Sequence, residues 1–409
     1  MEFIADFHIH SKYSRATSEA MEVEELARWA KLKGITLMGT GDFTHPMWLM
    51  ELKGKLRPSA DGLYEYNGIY FILTCEVYNN FYVEGKSKRI HNIIFAPSFD
   101  VVEKLNNKLQ GYGDLVSDGR PILNLNARDL VKICLDISPD CFIVPSHAWT
   151  PHFSIFGSNS GFDTVEECFG DQTKNIYCLE TGLSSDPPMN WRLSKLDRYA
   201  LISNSDSHSP HRIGREANAF NCDLNYKEVI NAIKSKDKKR FLYTIEFFPE
   251  EGKYHYDGHR NCKARVAPKE AIKNRNLCPV CGRRLTVGVM HRVEDLADRP
   301  EGFVPDDAIS FKHMIPLDQI IADARGIGEA TQSVEREYME LVNKCGSEFN
   351  ILLRMNGDEL KGKLPQRITE GVIRVREEKV NILPGYDGEY GTIKIFSEEE
   401  TGEKQLTLF

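Results

Sequence analysis

The feature that most constrains this chain is an ordered series of short apolar runs, each carrying a side chain able to bind a metal ion. Asp6-Phe7-His8-Ile9-His10 comes first. Side chains alternate faces along a strand, so His8 and His10 point the same way, and imidazole is the commonest metal ligand among side chains. Alone, such a pair fits equally well with two histidines packed on a half-exposed face. Repetition changes that reading. Gly-Ile-Thr-Leu-Met-Gly-Thr-Gly-Asp leads to Asp42 and His45, and Tyr-Phe-Ile-Leu-Thr-Cys-Glu leads to Glu76. His91 sits near the start of Arg-Ile-His-Asn-Ile-Ile-Phe-Ala, and Cys-Phe-Ile-Val-Pro-Ser-His leads to His147. Ala-Leu-Ile-Ser-Asn-Ser-Asp-Ser-His brings Asp206 and His208. Helix-like segments separate several of these runs. A barrel of alternating strands and helices gathers residues from its strand ends around one mouth. The series therefore predicts an α/β barrel with a metal centre at its mouth.

The order HxH, Gly-Asp with a nearby His, Glu, His, Ser-His and Asp-x-His resembles the PHP superfamily of metal-dependent phosphoesterases over about residues 1–245. The remainder is similar to the endonuclease Q family, through Gly-His-Arg-Asn-Cys, Cys-Pro-Val-Cys-Gly and Thr-Val-Gly-Val-Met-His-Arg-Val-Glu-Asp-Leu-Ala-Asp-Arg. The resemblance implies a distorted PHP-type (β/α)7 barrel, a small zinc-binding module and a helical C-terminal domain. It also implies a repair nuclease that cuts DNA 5′ to a deaminated base (hypoxanthine, uracil or xanthine) or an abasic site. In trinuclear PHP relatives the matching residues would be His8, His10, Glu76 and Asp206 on one ion. Glu76 would bridge to a second ion held by His91 and His147. His208 would belong to a third, with Asp42 and His45 as further ligands. This sequence departs there: the extra histidine of that pattern falls near Ala16, and Thr-Asp-His becomes Gly41-Asp42-Phe43. The expected complement is thus two or three ions. Imidazole and carboxylate ligands without thiolate suit Zn, Mn or Fe over Mg or Ca. Asp206, His208 and Glu76 are the expected catalytic groups. Arg212 and Arg215 are placed to clamp a phosphate, with ordinary salt bridging as the alternative.

A chain of 409 residues suggests two or three domains. No run of eighteen apolar residues is present, which argues against a membrane helix. Cys75, Cys134, Cys141 and Cys178 lie inside apolar runs and read as buried thiols in a reducing cytoplasm; a nucleoid-associated monomer is the accompanying expectation for a DNA-repair enzyme. The net charge of −8 argues against a nucleic-acid partner until its distribution is examined. Between Lys253 and Arg292 ten Lys and Arg face only Asp257 and Glu270, so that stretch is strongly basic while the rest is acidic.

Barrel catalysis is assigned to 1–248, the basic zinc module to 249–300, a helical domain to 301–396 and a flexible tail to 397–409. The first helix should start near Ser18 and end at Gly34, burying Val23, Leu26, Ala27 and Ala30. Residues 46–68 read as a long inserted loop with Trp48, Tyr64 and Tyr66. Residues 78–82 and the stretch from Trp149 through Phe153, Phe156 and Phe162 read as two more. Their rings would form a base-stacking rim or serve as core. A helix around Tyr226 to Ile233 precedes a last barrel strand at 240–245. His259-x-x-Cys262 and Cys278-x-x-Cys281 fit one structural zinc, with His255 and His291 as competitors for the fourth place. Beyond Pro316, Leu317, Ile320 and Ile321 mark a helix, and Val334, Tyr338, Leu341, Val342 and Cys345 mark another. Gly326-Ile327-Gly328 is a turn or a phosphate-contacting hairpin. Gln405, Leu406, Leu408 and Phe409 resemble the peptide that binds the bacterial sliding clamp.

Three functions remain open at this level: lesion-directed nuclease, phosphatase for a small phosphomonoester, and non-catalytic damage-binding scaffold. The basic module and helical appendage disfavour the second, and the intact ligand series disfavours the third.

Overall fold

The computed structural model describes residues 1–397 and Glu400; Gln405, Leu406, Leu408 and Phe409 lie outside the described residues. The strand Glu2–Asp6 pairs in parallel with Leu37–Gly39 and antiparallel with Ala217–Asn221. Leu37–Gly39 continues in parallel to Ile69–Val83, which pairs along its length with Lys86–Ala96. Lys86–Ala96 in turn pairs with Phe142–Pro145. Cys178–Glu180 and Ala200–Ile202 form a separate parallel pair, which is why the ring is distorted. Side chains stitch that gap. Asn218 accepts from the Ser203 N–H at 3.0 Å and donates to its carbonyl at 2.7 Å.

Phe3, Phe7, Leu37, Ile72, Phe95, Phe142, Ile202 and Phe220 fill the barrel interior. Helices cover its outside with apolar stripes, among them Val23–Lys33, which buries Val23, Leu26, Ala27 and Ala30 as expected. That helix starts at Val23, five residues later than expected. The preceding residues turn across the site instead, with the Ser18 N–H on the His208 carbonyl at 2.9 Å. Residues 46–68 are not a loop either. They form the helix Pro46–Lys55 and the strands Arg57–Pro58 and Leu63–Tyr66, the latter laid along Ile69–Val83. Residues 78–82 belong to the 15-residue strand Ile69–Val83. The expected aromatic rim is accordingly mostly core: Trp48, Trp149 and Phe156 are fully buried, and Tyr82 is 73% exposed.

Phe241–Glu246 is not the last strand of the sheet. Ser310–His313 adds in parallel beyond it and fastens the C-terminal half to the barrel. Between them lies the basic segment, with the hairpin Asp257–His259 and Ala264–Val266 and a core of only Ala264, Val266, Ala271, Cys278 and Leu285. The helix Val289–Leu296 leads out of it, and Arg292 donates to the Phe156 and Phe162 carbonyls at 3.1 and 3.0 Å. Leu317–Arg325, Gln332–Cys345, Gly357–Lys363 and Gln366–Arg376 make the C-terminal part helical, and the expected stripe from Val334 to Cys345 is buried. Buried Lys33 and Glu348, 2.7 Å apart, tie it to the first barrel helix. No helix among the described residues is long and apolar enough to cross a membrane.

Candidate metal centres

Four side chains meet at the end of the first strand. His8, His10, Glu76 and Asp206 offer ligand atoms that all lie within 4.8 Å of one another. Both histidines follow the strand Glu2–Asp6, one on either side of Ile9, whose isolated bridge to Ser207 draws the Asp206 turn alongside. Glu76 comes from the middle of Ile69–Val83. The antiparallel register places Tyr78 opposite His91, so His91 is the diagonal neighbour of Glu76 on the same face. Glu76, His91 and His147 form a second cluster that shares the Glu76 carboxylate. His91 Nδ1 and His147 Nε2 lie 2.9 and 3.0 Å from Glu76 Oε1, and the first cluster surrounds Oε2.

The fit to a cation shows in the spacing. His8 Nε2 is 3.6 Å from both Glu76 Oε2 and Asp206 Oδ1, too far for a hydrogen bond, and it is buried with no partner. A buried orphan nitrogen among carboxylates is costly unless a positive charge meets it. Electrostatics agree. Burial alone would lower the His8 pKa, yet Glu180, Glu76 and Asp206 push it well above the usual imidazole value. Burial would raise Glu76, yet His91 and His8 hold it well below the carboxylate range. Asp206 is lowered in the same way by His8 and His10. Asp206 and His147 also adopt left-handed backbone, φ 47° and 30°, a strain that concentrates at functional sites.

The outer contacts fix the imidazole tautomers. His8 Nδ1 lies 3.0 Å from Glu180 Oε1, and Glu180 also accepts from Asn204 and the His147 N–H. His10 Nδ1 lies 3.0 Å from Asp42 Oδ1. With the Nδ1 atoms so occupied, both rings present Nε2 to the cluster. Asp42, expected as a ligand, stands outside both clusters, on the far nitrogen of the His10 ring. Its second oxygen is already taken by the Ser11 N–H and the Ser11 and Ser14 hydroxyls. His45 joins neither cluster, donating Nε2–H to the Val116 carbonyl at 2.9 Å with Nδ1 left buried and unpartnered. His208 also stands outside them. Its ring lies 4.5 Å from that of His10, with Nδ1 on the Asp206 carbonyl at 2.9 Å. Arg212 is engaged by Glu329 at 2.6 Å, and Arg215 donates to the Ser205 carbonyl at 2.9 Å, bracing the Asp206 turn.

Sequence reasoning missed two residues here. Glu180 ends the strand Cys178–Glu180, the same apolar-run-then-ligand pattern as Glu76, and could have been found by it. Arg120 lies in an irregular stretch with no such signal. Its Nη1 donates to Glu76 Oε2 at 3.2 Å.

The second centre lies in the basic segment. His259, Cys262, Cys278 and Cys281 gather as a Cys3His set, with Cys281 Sγ 3.3 Å from His259 Nδ1. The Cys278 thiol is held down at about 6: although desolvation opposes it, the backbone N–H groups of Cys281 and Val280 and the His259 side chain favour the thiolate. A thiolate is what zinc binds. Neither competitor joins the set. His291 pairs with Asp257 at 2.7 Å, and His255 is buried against Tyr256.

The chain superposes on the lesion-specific endonuclease PfuEndoQ from Pyrococcus furiosus with a TM-score of 0.88 and 32% identity, covering 99% of this chain and 98% of that one. It superposes on an endonuclease Q in complex with a 27-mer duplex carrying an abasic lesion at the active site, with a TM-score of 0.86, 32% identity and full coverage of both. This chain belongs to the endonuclease Q family. It is an endonuclease by that membership, with a buried His, Glu and Asp metal cluster in an α/β barrel of PHP type. Residues 316–379 match the family model described as MJ0043 C-terminal domain. The uncharacterized protein MJ0043 of Methanocaldococcus jannaschii is 32% identical over 271 residues, and the match spans only 33% of that longer protein.

Proposed function

We propose that this chain is a repair endonuclease that hydrolyses the phosphodiester 5′ to an abasic site or a deaminated base (hypoxanthine, uracil or xanthine). The products would be a 3′-hydroxyl and a 5′-phosphate. The observation that carries this reading is the pair of buried ligand clusters sharing Glu76, in a chain that aligns end to end with an endonuclease Q solved on abasic DNA.

His8, His10, Glu76 and Asp206 would hold one Zn or Mn ion, and Glu76, His91 and His147 a second. Two such ions, when bound, supply an activated water at neutral pH and stabilise the oxygens of an in-line phosphoryl displacement. The chain's own groups do the remainder. Glu180 and Asp42 keep His8 and His10 in one tautomer. Arg215 braces the turn that presents Asp206. His208, with Nδ1–H on a carbonyl, has Nε2 left to carry a proton between site and solvent.

Substrate grip is assigned to the basic module at 249–300, with the barrel at 1–248 as the catalytic unit and the helical part at 301–396 as its support. A groove of about 930 Å³ between barrel and module carries Lys86, Lys88 and Arg292 beside Asp163, Asp295 and Asp387, with Arg292 paired to Asp163; Lys86 and Lys88 would be its contacts to a phosphate backbone. A lesion pairs poorly and is cheap to extrude, which itself discriminates it from intact DNA. The tail at 397–409 would tether the nuclease to a sliding clamp through Gln405, Leu406, Leu408 and Phe409. Deleting Gln405 to Phe409 should abolish clamp association and leave oligonucleotide nicking unchanged.

The test is a labelled duplex carrying one abasic site, uracil or hypoxanthine, incubated with and without chelator beside an undamaged control. Chelator-sensitive cutting on the 5′ side of the lesion is the expected result. Hydrolysis of small phosphomonoesters alone, or DNA binding without cutting, would overturn the reading.

A further inference from the structure

We propose that Arg120 is a catalytic residue, whose guanidinium takes a non-bridging oxygen of the scissile phosphate beside the Glu76-centred clusters. This rests on the nuclease reading above and adds to it a group that no ligand pattern in the sequence assigns. In the step it serves, the water oxygen forms the new bond to phosphorus and the phosphorus–3′-oxygen bond breaks. The 3′-oxygen leaves with a proton drawn from the water. Arg120 gives up no proton; it donates hydrogen bonds to charge gathering on the phosphoryl oxygens.

Three observations carry the inference. The first is position. Nη1 lies 3.2 Å from Glu76 Oε2, the oxygen that the first cluster surrounds, and the Arg120 side chain is 27% exposed. It therefore stands between the ligands and solvent, where a phosphate must enter.

The second is valence. That bond to Glu76 is the only side-chain hydrogen bond Arg120 makes among the described residues. A guanidinium has five N–H donors in a rigid fork that matches phosphate oxygens two at a time. The donors left over are not sealed from solvent, so an anionic substrate entering the site can take the place of water on them. The two arginines expected for this task are otherwise engaged, Arg212 on Glu329 and Arg215 on the Ser205 carbonyl.

The third is fixation. The backbone around Arg120 is bolted to the site, although much of the stretch before it is exposed. The Gly119 N–H donates to the Tyr13 carbonyl at 3.1 Å, and the Gly119 carbonyl accepts from the Thr44 hydroxyl at 3.2 Å. Asp118 Oδ1 accepts from the N–H groups of both Arg15 and Arg120. A Cβ at Gly119 would sit 2.4 Å from Asp42 Oδ2 and from Ser14 Oγ. Glycine is therefore what lets this turn lie against the carboxylate that orients His10. Such preorganisation is what a transition-state donor requires.

The experiment uses the full metal-loaded chain with Arg120→Gln, Arg120→Lys and Arg120→Ala on an abasic-site duplex. For Gln and Ala, kcat should fall about 10²–10³-fold with KM nearly unchanged. The Lys variant, which keeps the charge without the fork, should fall between. Elemental analysis should find the barrel metals retained. Guanidinium ion should restore part of the rate of Arg120→Ala and none of that of Glu76→Ala. Calorimetry with orthophosphate, which requires no turnover, should give affinity at least about tenfold weaker in Arg120→Gln. A kcat within about threefold of wild type would overturn the proposal. So would metal loss in step with rate, which would make Arg120 merely a support for Glu76, or unchanged phosphate affinity. If wild type nicks no lesion, the nuclease reading fails, and the phosphate and metal measurements decide the role of Arg120 separately.

Discussion

The two candidate metal centres differ in what holds their ligands. In the barrel, Glu76 and His91 stand on paired strands over a packed interior, His8 follows the end of the first strand, and Glu180 and Asp42 hydrogen-bond two of the rings. In the basic module, the Cys3His ligands hang on a three-residue hairpin and turns around five buried side chains. Burial of so little apolar area cannot offset the entropy of ordering such a segment, whereas structural zinc contributes about 10–16 kcal/mol in isolated fingers. The barrel thus preforms a cluster able to take a metal, whereas the module would depend on a metal to fold.

The largest test of this contrast is Asp206→Asn. It removes one ligand from a preformed site, so nicking should fall about 10³-fold or more while the thermal unfolding midpoint and lesion-DNA binding stay near wild type. A variant that cuts a uracil duplex at near-normal rate would remove Asp206 from the centre. Cys278→Ser with Cys281→Ser should do the reverse. About one zinc per chain should disappear by elemental analysis, amide protection should collapse across residues 257–286 only, and affinity for lesion DNA should weaken about tenfold. Retained protection there would mean that the module folds without metal.

A smaller effect should follow from the orienting carboxylates. Glu180→Gln, and separately Asp42→Asn, should weaken barrel metal binding by about 10–100-fold, measured by competition with a chromogenic chelator, with the fold intact. No loss of affinity would show that the rings are fixed by packing alone.

The smallest effect concerns the fastening of the helical part. His313, on the strand Ser310–His313, lies between Asp186 at 3.2 Å and Glu378 at 3.1 Å. Burial would lower its pKa, but those two carboxylates raise it from 6.5 to about 10. A folded-state pKa raised above the unfolded one stabilises fully below the unfolded value and is lost as pH rises through the folded value. The midpoint difference between wild type and His313→Gln should thus be greatest and flat below about pH 6.5, and close as pH passes about 10. A difference that grows with pH would reverse this assignment.

The sequence by itself determined the ligand series, because metal chemistry needs particular side chains and a strand's alternation carries them to one face. His8, His10, Glu76, His91, His147 and Asp206 come together in two clusters as that series anticipates, as do the two Cys/His pairs of the basic segment, and the apolar stripe from Val334 to Cys345 is buried. Tertiary structure decided what pairwise geometry decides. Asp42 falls outside the two clusters, its oxygens meeting Ser11, Ser14 and His10 Nδ1. Leu63–Tyr66 became strand because Ile69–Val83 offered it an edge, and residues 78–82 extend Ile69–Val83 because Lys86–Ala96 pairs along them, which local composition does not reveal. Arg120 reached Glu76 through a turn fixed by Gly119 against Asp42. No periodicity encodes such a contact, since it exists only once strands far apart in the chain have closed around one point.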